Sequence, residues 1–243
     1  MIEGSIPAKS VLLDGLEQLG LTDATRIADT LFEYGRLLLE ANLSTNLVGA
    51  DTIEQLVTQH FLDSLAPLAC HRFRPPVVDV GSGAGLPGIP IAIAHPRAEL
   101  MLMEPRRLRA EFLRSVVTAL GLANVTVVQG TAESAGRLTL RREQASTVMM
   151  RAIGKPAVAV ELGLPLLKHG GELWLYRGRD ADPEPAVVAA AAFLGGDFVS
   201  SQPVHVPFLA AQRHLWVFRK VRPTPKGYPR RSGIPDRSPL PMV

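Results

Sequence analysis

Apolar residues recur at helical spacing through the first third of the chain. In residues 10–21 they fall at Leu12, Leu13, Leu16 and Leu19, the pattern of a short amphipathic helix. A second helix is expected from Thr22 or Asp23, both capping residue types, to about Ala41. Its apolar positions Ile27, Leu31, Tyr34, Leu37 and Leu38 share one face. Ile53, Leu56, Val57, His60 and Phe61 mark a third helix across 52–68. The texture changes at Arg74-Pro75-Pro76. Short apolar runs at 77–81, 99–103, 125–129, 145–150, 171–176 and 212–219 read as strands, with a weaker one at 197–206. Helical stretches are expected at 88–95, 106–120, 156–168 and 184–194. Apolar strands alternating with helices predict an α/β fold: a mostly parallel, twisted sheet of about seven strands with helices on both faces. The last strand follows a strand candidate rather than a helix, so an antiparallel entry is open to it. The chain then divides into a helical extension (1–74), an α/β domain (75–220) and an irregular tail rich in Pro, Gly and Arg (221–243).

The strand 77–81 runs into VVDVGSGAGLPG, the order strand, acidic residue, G-x-G-x-G, helix. Gly81, Gly83 and Gly85 permit a tight turn and close backbone approach to a ligand, and Pro87 suits an early helical position. A dinucleotide fingerprint asks for a third glycine where Leu86 stands. Asp79 precedes the turn, where a carboxylate can organise the loop or hold an ammonium group but opposes a pyrophosphate. These two residues favour a methyl donor, S-adenosylmethionine, over a dinucleotide. Glu104 ends the next strand, where a carboxylate accepts ribose hydroxyls in either ligand class. Thr131-Ala132-Glu133 follows the third strand and fits the adenine side of the same pocket; it also reads as an ordinary helix start.

Composition narrows the partners. The 243 residues are 47% hydrophobic and carry a net charge of +3. No apolar run approaches the ~18–20 residues of a membrane span, and the opening residues lack a secretory pattern. The chain is therefore expected to be cytoplasmic, without a membrane partner; a monomer is also expected. Its single cysteine, Cys70, reads as a small buried hydrophobe, and the histidines show no metal-ligand spacing, so no metal is expected. Charge is uneven: residues 1–75 hold ten acidic and five basic side chains, whereas 219–237 hold seven basic and one acidic. A basic tail suggests a polyanionic partner or, more plainly, solubility. Arg106, Arg107, Arg109 and Arg114 crowd one helix, and Lys226, Arg230 and Arg231 are expected to form a flexible clamp around Tyr228. Aromatics are only 5%, too few for an extended base-stacking platform, so phosphate contacts are expected to dominate.

The runs DVGSGAGLPGIPIAI, LMEPRRLRAEFLRSV, TAE and VMMRAIGKP together resemble the RsmG family, also called glucose-inhibited division protein B. The likeness extends to NLVGA (46–50), HFLDSL (60–65) and the tail YPRRSGIPDRSPL. It implies a Rossmann-like class I methyltransferase that modifies N7 of a guanine in small-subunit (16S) ribosomal RNA, acting on the subunit or a precursor. It also implies that Gly81, Gly83, Leu86, Glu104, Ala132, Glu133 and Arg151 contact the donor, with Arg151 additionally near the incoming base.

The required chemistry is compatible with these residues. Guanine N7 has a lone pair and no proton, so alignment matters more than a general base; orientation alone can supply ~7–11 kcal/mol. The segment after the fourth strand, MMRAIGKP, lacks the Asn/Asp-Pro-Pro-aromatic run common in exocyclic amino methylation. Arg151 can hydrogen-bond a guanine edge or a phosphate, or pair with Glu133 or Glu104 to hold the pocket. His60 and Asp63 share a helical face without a usable nucleophile, so their helix is expected to close one side of the pocket. The alternatives are a methyltransferase for another RNA or a small molecule, a nicotinamide-dependent oxidoreductase, and a noncatalytic RNA-binding module.

Overall fold

The computed structural model describes residues 7–72 and 74–240. The first six residues of the expected helical extension, Phe73 and the last three residues of the tail lie outside it. The amino-terminal helices are α1 (Ala8–Gln18) and α2 (Ala24–Thr45). A helical stretch follows, composed of α3 (Ile53–Leu56), a π-helical turn (Val57–Phe61), α4 (Leu62–Leu65) and α5 (Pro67–Cys70). The alternating region gives β1 (Val77–Val80), α6 (Gly88–Ala94), β2 (Leu100–Glu104), α7 (Arg107–Ala119), β3 (Val125–Gln129), α8 (Ala132–Ala135) and β4 (Ala145–Arg151). It continues with α9 (Pro156–Gly163), β5 (Leu167–Arg177), α10 (Pro185–Phe193), β6 (Gly196–Pro203), β7 (His214–Lys220) and a final turn, α11 (Ile234–Arg237).

The seven strands form one sheet in the order β3-β2-β1-β4-β5-β7-β6. β1 pairs in parallel with β2 and β4, β2 with β3, and β4 with β5. β7 is antiparallel to both β5 and β6, because it is reached from β6 without a crossover helix. The parallel strands are apolar at successive positions because both faces are covered. Val77, Leu102, Met149, Trp174 and Val217 enter a core shared with α1, α2, α6 and α7. Val78, Met103, Val148, Leu173 and Phe218 enter a second core beneath α9 and α10. Tyr34 of α2 is buried and stacks on Phe61, 5.5 Å between ring centroids. Its hydroxyl donates to the Ala84 carbonyl at 2.6 Å, which ties the helical layer to the turn after β1.

Some local expectations are corrected. The helix expected over 156–168 ends at Gly163 and gives way to a 3-10 turn (Leu164–Leu166) and β5. Pro165 lacks the N–H that a continuing helix requires. Asp23 precedes α2 but makes no capping bond; its backbone is left-handed at φ 65° and its carboxylate pairs with Arg26. Cys70 is exposed rather than buried, since α5 ends there facing outward.

The tail differs most from its reading as a flexible clamp. Lys220 is buried; its ammonium donates to the Leu164 carbonyl at 2.7 Å and to the Thr224 hydroxyl, and pairs with Glu143 at 3.2 Å. Burial lowers its pKa to about 8. Arg142 forks to the carbonyls of Tyr228 and Thr224, each at 2.6 Å. The fully buried Glu161 accepts from Arg230 three times, from the backbone N–H at 2.9 Å, Nε at 2.9 Å and Nη2 at 2.6 Å. The tail thus climbs from the amino-terminal end of the parallel strands, at Thr224, to their carboxyl-terminal end. There the Gly233 amide donates to Glu133 at 3.3 Å. Arg230→Ala leaves the Glu161 carboxylate buried without its partner. It should cost about 3–5 kcal/mol in urea unfolding; an unchanged unfolding midpoint would show that the carboxylate is solvated.

Candidate active site

The site is built from the turn between β1 and α6. The Gly81 and Ser82 amides donate to the Met103 carbonyl at 2.8 and 3.1 Å, and the Gly85 amide to the Ser82 carbonyl at 2.6 Å. Gly81, Gly83 and Gly85 all have positive φ (72°, 56° and 101°), a region that side chains with a Cβ rarely enter. Their surroundings separate two roles. A Cβ on Gly85 would sit 2.6 Å from Ile89 Cγ1, and one on Gly88 would sit 2.7 Å from Asp79 Oδ2, so these two glycines serve packing. A Cβ on Gly81 would meet only Ile153 at 3.4 Å and beyond, and one on Gly83 only Arg109 Nη1 and the Gly81 carbonyl at 3.8 Å. Those two glycines leave bare backbone on an open surface. Leu86 is buried within the helix-side core.

Two buried carboxylates hold the turn. Asp79 Oδ2 accepts the Gly88 amide at 3.1 Å, which starts α6. Asp79 Oδ1 is buried without a hydrogen-bond partner. Burial raises this carboxyl to about 7, against the opposing pull of the Gly88 hydrogen bond. Glu104, at the end of β2, accepts the Gly83 amide at 2.9 Å on Oε2 and the Arg106 amide at 2.9 Å on Oε1. Each oxygen keeps a second lone pair. Past β3, the Thr131 hydroxyl caps α8, and Ala132 and Glu133 are buried beside it.

At the end of β4, Arg151 pairs with neither Glu133 nor Glu104. Its Nη1 bonds Asp63 Oδ2 at 2.9 Å, and the other Asp63 oxygen accepts Arg213 Nε at 2.7 Å. One carboxylate from α4 therefore bridges two guanidiniums, one at the end of β4 and one just before β7. His60 Nδ1 lies 3.4 Å from Arg151 Nη2. A guanidinium only donates, so Nδ1 is the accepting nitrogen and the proton sits on Nε2, which is buried without a partner. Burial first, then the Arg151 charge, lowers the His60 pKa to about 4, so the ring is neutral at pH 7. The Ser64 hydroxyl donates to the His60 carbonyl at 2.6 Å, so no nucleophilic triad is assembled.

The structure thus brings Gly81, Gly83, Glu104, Ala132, Glu133 and Arg151 to the carboxyl-terminal ends of β1 to β4. Sequence reasoning missed Tyr34 and Arg213, whose partners are 50 and 150 residues distant. Asp63 had a signal in HFLDSL but no assigned partner. A separate cavity of about 320 Å³ opens between Pro76, Leu100, Thr126 and Ala145. It lies at the opposite, amino-terminal ends of the strands and touches none of these residues.

Residues 27–216 match the family model described as GidB, rRNA small subunit methyltransferase G. A ribosomal RNA small subunit methyltransferase G from Alkaliphilus metalliredigens (strain QYMF) is 34% identical over 236 residues, covering 96% of this chain and 99% of that protein. One from Roseiflexus castenholzii (strain DSM 13941 / HLO8) is 39% identical over 223 residues, covering 91% and 95%. Among solved structures, a 16S rRNA (adenine(1408)-N(1))-methyltransferase from Catenulisporales acidiphilia is similar in fold, with a TM-score of 0.50 at 20% identity, over 61% of this chain and 86% of that one. The chain belongs to the rRNA small subunit methyltransferase G family.

Proposed function

We propose that this protein transfers the methyl group of S-adenosylmethionine to N7 of a guanine in small-subunit (16S) ribosomal RNA, acting as a cytoplasmic monomer on the subunit or a precursor. The observation that carries the reading is the open backbone at Gly81 and Gly83, flanked by Glu104 on one side and Arg151 on the other. When bound, S-adenosylmethionine supplies a methyl group on a sulfonium centre. Gly81 and Gly83 would lay backbone bare of side chains against it, their amides being turned inward to Met103 and Glu104, and Leu86 backs the turn. The spare lone pairs of Glu104 suit ribose hydroxyls, while Ala132 and Glu133 line the adenine side.

Arg151 orients the base. A hydrogen bond to N7 would occupy the lone pair that has to attack, so the Hoogsteen edge leaves O6 as the handle. O6 is an acceptor, and a guanidinium only donates. Methylation makes the purine ring cationic as the sulfonium loses its charge. Asp63 offsets one of the two guanidinium charges there, and the His60 ring adds no further charge.

Incubation with labelled donor and small subunits from a strain lacking the enzyme should place label on one guanine N7, read by nucleoside mass mapping. Unlabelled RNA overturns the reading; label on an exocyclic amine overturns the choice of N7. Gly81→Asp fills the open surface and should lower donor affinity by at least tenfold in calorimetry. Strain at positive φ should cost about 1–2 kcal/mol of stability. Affinity within twofold of wild type would mean the donor lies elsewhere.

Asp79 adds a pH signature. Its carboxyl titrates near 7 when folded, against an ordinary value of 3.8. Between these values the folded state holds a proton that the unfolded state has lost, so this residue's contribution to stability falls as pH rises from about 4 to 7 and is flat above. Asp79→Asn keeps an acceptor for the Gly88 amide and has no charge to bury. Its stability relative to wild type should climb across that window in urea unfolding; parallel curves would show that Asp79 is ionised throughout.

A further inference from the structure

We infer that residues 228–237 form a docked arm whose two outward guanidiniums, Arg231 and Arg237, grip backbone phosphates of the RNA at the mouth of the donor site; this rests on the reading above that the substrate is RNA. The arm is fastened along its length. The Tyr228 ring meets Phe193 edge-on at 5.2 Å. Pro229 is seated so closely on α8 that a Cβ on Gly136 would lie 2.9 Å from its ring, and Arg137 Nε donates to its carbonyl at 2.9 Å. Arg230 is consumed by Glu161, the Gly233 amide reaches Glu133, and Pro235 and Leu240 are buried.

That fastening sorts the tail's seven basic residues. Arg219 pairs with Glu172, Lys220 with Glu143, Arg222 Nη2 donates to the Ala192 carbonyl, and Arg230 pairs with Glu161. Of the remaining three, Lys226 is exposed near the Thr224 end, away from the site. Arg231 is exposed with no side-chain partner among the described residues, and Arg237 makes only a bond from Nε to the Gly233 carbonyl at 3.0 Å within its own turn. One acidic residue, Asp236, is exposed between them. Solubility alone does not require a basic segment to be anchored through an arginine to a fully buried carboxylate. Its position gives the anchoring a use: Glu133, which receives Gly233, adjoins Ala132 at the same sheet end as Gly81, Glu104 and Arg151. Across the glycine turn, Arg106 is exposed and Arg109 leans over Gly83. Guanidiniums therefore flank the mouth on two sides, where a nucleotide entering between them would bring its phosphates. A guanidinium fork matches a phosphate and carries no base information, so the partner is recognised as an RNA backbone.

The test compares Arg231→Glu/Arg237→Glu with Arg222→Glu/Lys226→Glu, the same change in charge at the other end of the tail. Binding of 16S ribosomal RNA is read by fluorescence anisotropy across salt, donor affinity by calorimetry, and folding by thermal melting. The arm variant should lose at least tenfold in RNA affinity, with the salt slope reduced by about 0.7–0.9 per lost contact. Its donor affinity should be unchanged, and the control should stay within twofold of wild type in RNA affinity. Equal losses in both variants, no loss in the arm variant, or joint loss of donor and RNA affinity overturns the inference. RNA binding is measured without methyl transfer. A wild type that binds RNA but transfers no methyl therefore counts against the proposed reaction and not against the arm.

Discussion

Backbone N–H groups aimed at two buried carboxylates hold the turn between β1 and α6, and the rest of the molecule is arranged around that turn. Asp79 takes the amide that opens α6, and Glu104 takes the amide of Gly83. Left-handed glycines bend the chain so sharply that these amides face inward to the carboxylates, leaving the other surface of the loop bare. A buried carboxylate is costly unless it is hydrogen-bonded. Asp79 meets that cost only in part, with one oxygen unpartnered and a proton held to about pH 7. The local strain and polarity persist because the cores on both faces of the sheet hold β1 and β2 fixed.

A second electrostatic knot joins parts of the chain that share no secondary structure. Asp63 sits on a short helix after a π turn, an irregularity that re-aims the residues following it. Its two oxygens fix Arg151 from β4 and Arg213 ahead of β7. Side chains so confined present donors in one orientation, which a loop arginine in water would not. The amino-terminal helices are therefore part of the site as well as a cover for the sheet. Tyr34 reaches the loop itself through the Ala84 carbonyl.

The tail extends the same logic. Glu161 and Glu133 both face segments far along the chain, one anchoring Arg230 and the other receiving Gly233. The Glu133 carboxylate, in the segment after β3, is thus a fastening point for the tail.

The sequence by itself determined the elements and the chemistry carried by single segments. Strand and helix periods are local, so β1 to β5 and the helices between them were legible, as was the glycine turn, whose conformation is written in Gly81, Gly83 and Gly85. Boundaries set by a local breaker were open to the same reading and still missed, as at Pro165. Only the tertiary structure decided which charges meet. Arg151 could have met Glu104, Glu133 or Asp63, and nothing local ranks them; the packing of α4 against the sheet chose Asp63. Burial of Lys220 and partial burial of Arg230 were equally invisible, because a basic side chain in a Pro- and Gly-rich segment looks solvated until distant carboxylates, Glu143 and Glu161, are folded beneath it. Periodicity reports what a segment does with its own neighbours, whereas these ion pairs, between residues 69 to 150 positions apart, are fixed only when the whole sheet has closed around them.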